Sequence, residues 1–283
     1  MKLTSADGTW GAVPWESRSP PGINVEGPPT SVGGPSLFGT GPSLTPSNDK
    51  RHKSGGQPRD RSKSHKGKTI TAVKSGQLPK WVRDEIVRST PKDRRDPAMT
   101  HLTRAMGDFA DERYRAAVPE LRKAKKLSPR SSVIRELLGL AAYRSAQWEE
   151  ALRELRTFRR ITGDLMHMPV EMDCLRALGR GNDVTKTWER IQSHDVSPAV
   201  NHEARVVYAS YLLDEGKPRE AWPIIKPGRL VSSPSEGEMR RWYVAARVAL
   251  EAGDKEAARK IVAALDEQEP DFEGVEELRT AIT

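Results

Sequence analysis

The segment HMPVEMDC places His167, Glu171 and Cys174 at i, i+4 and i+7, so an imidazole, a carboxylate and a thiol share one face of a helix. Side chains of these types hold zinc or iron. A working metal centre also needs a fourth ligand or an open water position, and groups that orient the ligands. No second His/Cys pair accompanies this one. The trio therefore reads as a partly exposed helix face on which Cys174 packs as a small apolar residue, and no metal or cofactor is expected. Ser193, His194 and Asp195 carry the residue types of a nucleophilic triad, but adjacent residues at one helix end cannot converge on a common atom. GRGND, from Gly179, has no strand before it and reads as a helix stop rather than a phosphate loop. The acid pairs Glu149/Glu150 and Asp214/Glu215 face solvent in a helical reading, and His101, His194 and His202 are scattered. No catalytic constellation is found, and the chain is not expected to be an enzyme.

These residues need elements to carry them, and composition bounds what those elements are. The chain has 283 residues, 36% hydrophobic and 30% charged, enough for one modest domain and a tail. Residues 1–48 hold 8 Pro, 8 Gly and 12 Ser or Thr, too little apolar surface to offset the entropy of ordering. They are expected to form a disordered tail, in which Trp10 and Trp15 stand out as a short linear anchor for another protein. Residues 49–78 carry 9 Lys or Arg against 2 Asp and no aromatic residue, and are expected to be a basic disordered linker. Residues 79–161 carry 20 basic against 12 acidic residues, residues 162–283 carry 16 against 22, and the whole chain is +8. A molecule basic at one end and acidic at the other can steer acidic partners.

From Leu78 onward, apolar residues recur three and four apart, which predicts helices with one buried stripe, and no stretch alternates with period two. Pro79 opens a helix that Pro91 closes. Asp96 with Pro97, Ser197 with Pro198, and SPSE from Ser233 to Glu236 read as helix starts. Gly163, Gly181, Gly216 and Gly253 read as left-handed stops. The domain, residues 79–283, is thus expected to be all-α.

The stretch LLGLAAYRSAQWEEALREL, Leu137 to Leu155, reads as two short helices broken at SAQ. Tyr114 and Trp148 are 34 residues apart, as are Ala117 and Ala151; Ala221 follows Ala151 by 70, and Ala258 follows Ala221 by 37. With YVAARVALEAGDKEAARKIVAAL, this pattern resembles the tetratricopeptide repeat. The resemblance covers residues 96–270 and implies a right-handed α-solenoid of about five antiparallel helix pairs. In it Gly139 faces Ala151, Ala246 faces Ala258, and Trp148, Trp188, Trp222 and Trp242 plug gaps between pairs. The first pair is expected to need one extra residue between its helices if Leu102, Met106 and Phe109 are to face inward. The helix at 79–90 and the closing DFEGVEELRTAI are expected to act as caps.

What the resemblance implies for function is a groove lined by the first helix of each pair, holding a protein or peptide segment. Carried over residue by residue, it selects Glu136, Leu140, Tyr143 and Arg144 in one unit and Arg240, Tyr243 and Arg247 in another, the two arginines clamping a carboxylate. Thr103, Gly107 and Leu137 stand where the chaperone-tail-binding subgroup has its Lys and Asn, so that ligand is not expected. The alternative is a nucleic-acid-associated protein that contacts phosphates through Lys50, Arg51, Lys53, Arg59, Arg61, Lys63, Lys66 and Lys68, with the run Arg122 to Lys126. The opening MKLTSADGTW lacks the apolar core of a signal peptide, no run reaches the roughly 20 residues of a membrane span, and Cys174 is the single cysteine. A cytoplasmic protein is expected, and its Ala- and Arg-rich repeats are similar in composition to those of GC-rich bacteria.

Overall fold

A computed structural model describes residues 78–272 and 274–282, and it is all-helical: no strand occurs among the described residues. The expectations for residues 1–77, including Trp10, Trp15 and the linker cations from Lys50 to Lys68, lie outside them. Helix α1 spans Lys80–Ser89. Five pairs follow: α2 Lys92–Ala110 with α3 Tyr114–Leu127, α4 Ser132–Arg144 with α5 Trp148–Thr162, and α6 Met168–Ala177 with α7 Gly181–Gln192. Next come α8 Pro198–Asp214 with α9 Pro218–Ile225, and α10 Glu236–Glu251 with α11 Lys255–Gln268; α12 is Val275–Ile282.

One turn joins the helices of every pair. Each linker has three residues, and the middle one takes a left-handed conformation: Glu112, Ala146, Gly179, Gly216 and Gly253, with φ of 59°, 60°, 67°, 70° and 87°. The third residue donates its N–H to the carbonyl five residues back, Arg113 to Asp108, Gln147 to Ala142, Arg180 to Leu175, Lys217 to Leu212 and Asp254 to Ala249, at 2.7–2.9 Å. That is the 6→1 bond of a Schellman stop, which satisfies a carbonyl orphaned by the helix end and sends the chain back on itself. The expected extra residue in the first pair is therefore not there. Leu102 and Met106 are buried with a linker of the same length as the others, Glu112 standing at the position taken by alanine in the second pair and by glycine in the last three.

Packing follows chain order, each helix resting on its sequence neighbours, with α6 also on α8, and α10 on α8 and α12. The apolar core runs in three clusters. The first joins α1 to α4, the second α4 to α8, and the third α8 to α12, so α4 and α8 each serve two. Within α4–α5, Gly139 lets the helices meet: a Cβ there would lie 2.6 Å from Cγ and Cδ2 of Leu155 and 3.3 Å from its backbone nitrogen. Leu155 thus makes the nearest contact to Gly139, and Ala151, expected to face that glycine, is fully buried. Burying a leucine this way contributes about 1.5–3 kcal/mol. Trp242 is buried, and Trp188 lies flat on Tyr208 with ring centres 4.7 Å apart.

Several helix ends differ from expectation. Helix α2 starts at Lys92, so Pro97 sits inside its first turns rather than at its first residue. The capping box of α10 is Ser235 with Glu238, two residues beyond the Ser233 and Glu236 expected, because the helix begins at Glu236 and Ser235 is the residue that precedes it. Gly179, not Gly181, makes the stop before α7, and Gly181 is that helix's first residue. Ser197 caps α8 through the Val200 N–H, and Gly163, Gly216 and Gly253 are left-handed as expected. Pro227 and Gly228 follow the end of α9, whose last carbonyls are taken by Arg241: Nε donates to Ile225 O at 3.0 Å and Nη2 to Lys226 O at 2.7 Å.

Candidate partner-binding wall

Helices α4, α6, α8 and α10 are the first members of successive pairs, and polar contacts stitch them in order. Glu136 Oε1 of α4 lies 2.9 Å from Nε2 of His167, the residue that precedes α6. Tyr143 donates its hydroxyl to Asp173 Oδ2 at 2.7 Å. Arg176 of α6 then bridges outward, from Nε to Asp173 at 2.8 Å and from Nη1 to Asp214 of α8 at 2.6 Å. Arg240 of α10 reaches back to Glu203 of α8 at 2.6 Å. The partners are 30 to 38 residues apart, about one pair's length, so each bond joins like positions of neighbouring units.

The electrostatics follow from this enclosure. Burial pushes the Tyr143 phenol well above its ordinary value, and the negative charge of Asp173 adds to it, so Tyr143 stays a donor. Burial alone would lower the Arg176 guanidinium, but Asp173 and Asp214 on either side hold it above its usual value.

The residues carried over from the resemblance divide into two kinds. Glu136 is engaged with His167, and Leu140 is 6% exposed, so both build the wall rather than face outward. Arg144 lies over the Tyr114 ring at 5.7 Å, Arg247 over Tyr243 at 5.9 Å, and Tyr243 packs against Phe272. Arg240 is only 13% exposed, pairs with Glu203 and Glu236, and keeps a buried Nε with no hydrogen-bond partner. Arg144, Tyr143, Tyr243 and Arg247 remain partly exposed along the wall. Sequence reading missed His167, Asp173, Arg176 and Glu203 as the stitches; polar residues one repeat length from the groove positions were the signal.

The His167, Glu171 and Cys174 face is more deeply buried than its partly exposed reading. Glu171 takes two hydrogen bonds from Arg159, at 2.9 and 3.1 Å, and His167 is held by Glu136. Cys174 is fully buried, and burial pushes its thiol well above the ordinary range, with Asp173 and Glu171 adding to the effect; it stays protonated and unreactive. No cluster of three metal-ligating residues occurs among the described residues.

The basic run on α3 is largely committed to acids. Arg122 binds Glu150 through Nε at 3.1 Å and Gln147 at 2.7 Å; Lys123 pairs with Glu120 at 2.6 Å and Lys125 with Glu154 at 2.9 Å. Hydrogen bonds from Lys123 and then His101 hold the Glu120 carboxyl down to about 2. Glu154 is fully buried, and although burial opposes its charge, Lys125 and Arg135 keep its carboxyl below the usual range. None of the described helices is long and apolar enough to cross a membrane. Compared with known proteins, the chain matches no family model, no curated protein and no solved structure.

Proposed function

We propose that residues 79–283 form a right-handed, tetratricopeptide-like α-solenoid that acts without catalysis, as a cytoplasmic scaffold holding a protein or peptide segment against the wall of first helices. The observation that carries this reading is the recurrence of one Schellman turn in five pairs, at intervals of 33 to 37 residues. Equal turns give neighbouring pairs a common geometry, which lines up their first helices as a continuous face. The stitches Glu136–His167, Tyr143–Asp173–Arg176–Asp214 and Glu203–Arg240 stiffen that face in advance of binding, which lowers the entropy cost of holding a guest. Arg144, Tyr243 and Arg247 supply the residue types that dominate interface energetics.

The test is affinity co-purification from the native host with the wild-type chain and an Arg144→Glu, Arg247→Glu variant. Both side chains are only partly buried, so the variant is expected to melt within a few degrees of wild type. Loss of a protein partner from the variant alone supports the wall. An identical set of partners removes it.

A further inference from the structure

A cleft of about 340 Å³ opens where the end of α1 meets the start of α2 and the loop between α3 and α4. Its polar lining is Arg88, Ser89, Thr90, Arg94 and Arg130. The loop is fixed in place from both sides. Glu85 accepts from the Ser131 hydroxyl at 2.7 Å and from the Ser132 N–H at 2.9 Å, and Thr90 donates its hydroxyl to Ser128 at 2.6 Å. Ser128 and Ser131 are fully buried. Arg130, between them, is therefore held at the same cleft as Arg88.

These arginines are treated differently from those in the cleft beside the α4–α5 turn. In the cleft beside the α4–α5 turn, Arg122 and Arg153 both bind Glu150, so that surface is neutralised. At the α1–α2 cleft, neither Arg88 nor Arg130 pairs with a carboxylate among the described residues, and Glu85, one turn before Arg88, is taken up by serines. Arg94 has Asp93 3.7 Å from its Nε, and Asp84, one turn before Arg88, is held by Lys80 at 2.9 Å. The hydroxyls point the same way. Thr90 gives its proton to Ser128, and the Ser89 hydroxyl at the cleft lies 3.3 Å from that of Ser128 and 3.4 Å from that of Thr90, free to turn between them and the cleft. Two guanidinium forks without a carboxylate partner, beside a hydroxyl that can turn to the cleft, match the oxygens of a phosphate.

We propose that this cleft seats one backbone phosphate of a nucleic-acid strand, independently of what the wall of first helices holds. A polyanion is favoured over a lone phosphate by what precedes it. Residues 49–78, which lead directly into α1, carry 9 Lys or Arg against 2 Asp. From Lys80 to Arg88 is about 12 Å of helix, so the basic stretch joins the described chain within a few nucleotides' length of the cleft.

The test titrates the full-length chain into a labelled single-stranded oligonucleotide of about 20 nucleotides, followed by fluorescence anisotropy at several salt concentrations. The variant is Arg88→Ala, Arg130→Ala; the control removes the same charge from two exposed arginines elsewhere in the basic half, Arg104→Ala, Arg115→Ala. Expected is a loss of about tenfold for the cleft variant at low salt, a salt slope shallower by about 0.7 for one lost phosphate, and less than about threefold for the control. Circular dichroism of the cleft variant should match wild type. Equal weakening of the two variants overturns the proposal, as does a wild-type chain that does not bind. Inorganic phosphate that competes beyond chloride of equal ionic strength assigns the cleft to free phosphate and overturns it too.

Discussion

The α4–α5 and α8–α9 pairs share a turn but are held by different means. In α4–α5 the seal is mainly internal: Gly139 admits Leu155, and Glu154 of α5 gathers Arg135 and Arg153 of the same pair, with Lys125 of α3, around a fully buried carboxylate. In α8–α9 the second helix is only 8 residues long, carries Pro223 inside it, and is finished by Arg241 from the next pair. One pair is sealed mainly from within; the other borrows its ending. The turn sets the reversal of the chain, and different side chains then decide where stability comes from.

The sharpest way to break this contrast is Glu154→Ala. It strands Lys125 and Arg135 in a largely buried setting, 20% and 17% exposed, and should cost about 2–4 kcal/mol by denaturant unfolding. Hydrogen exchange should quicken in α5 and stay unchanged in α9. Acid gives the same result more gradually. The folded-state carboxyl of Glu154 lies below its ordinary value, so its contribution is complete above the ordinary carboxylate range and fades as pH falls below it. Amides of α5 should lose protection on acidification before those of α9.

Next in size is Gly139→Val, expected to cost about 1–3 kcal/mol through overpacking against Leu155. If Gly139→Val is neutral, the close approach of α4 and α5 is not what seals the pair. Arg241→Gln should cost about 1–2 kcal/mol and act on the other pair, raising exchange at the end of α9 while α5 is untouched. A uniform rise across both pairs would erase the distinction between internal and borrowed support. The smallest effects concern the turns themselves. Gly216→Ala should destabilise by about 1 kcal/mol, since φ is 70° there, and Ala146→Gly should be neutral or stabilise by up to about 1 kcal/mol. Equal and opposite shifts show that the two turns have one geometry.

The sequence made the helical class legible, because the three-and-four spacing of apolar residues from Leu78 onward is carried by every pair. It also placed Ser197, Gly216 and Gly253 at their caps, where residue chemistry and backbone demand coincide. It misjudged the first turn, because Glu112 adopts the left-handed conformation without being glycine; packing of Leu102 and Met106 on one side and Val118 on the other imposes what composition does not advertise. At the wall, Tyr143 and Arg240 were recognisable by type and register. Their partners Asp173 and Glu203 were not, since the spacing of about one repeat length marks several polar residues as candidates and only the packed helices select among them. The cleft at Arg88 and Arg130 stayed hidden for a related reason: 42 positions separate the two arginines, and only the serine clasp around Glu85 brings them together.

A recurring stop with the same hydrogen bond also gives the molecule a step size. From Ala146 to Gly179 is 33 residues and from Gly216 to Gly253 is 37, and both ends of each interval have matching backbone conformation. Duplication or excision between two such points joins like to like, so the reading frame of the architecture survives. Growth or shrinkage by whole hairpins would leave the joint between neighbouring units unchanged.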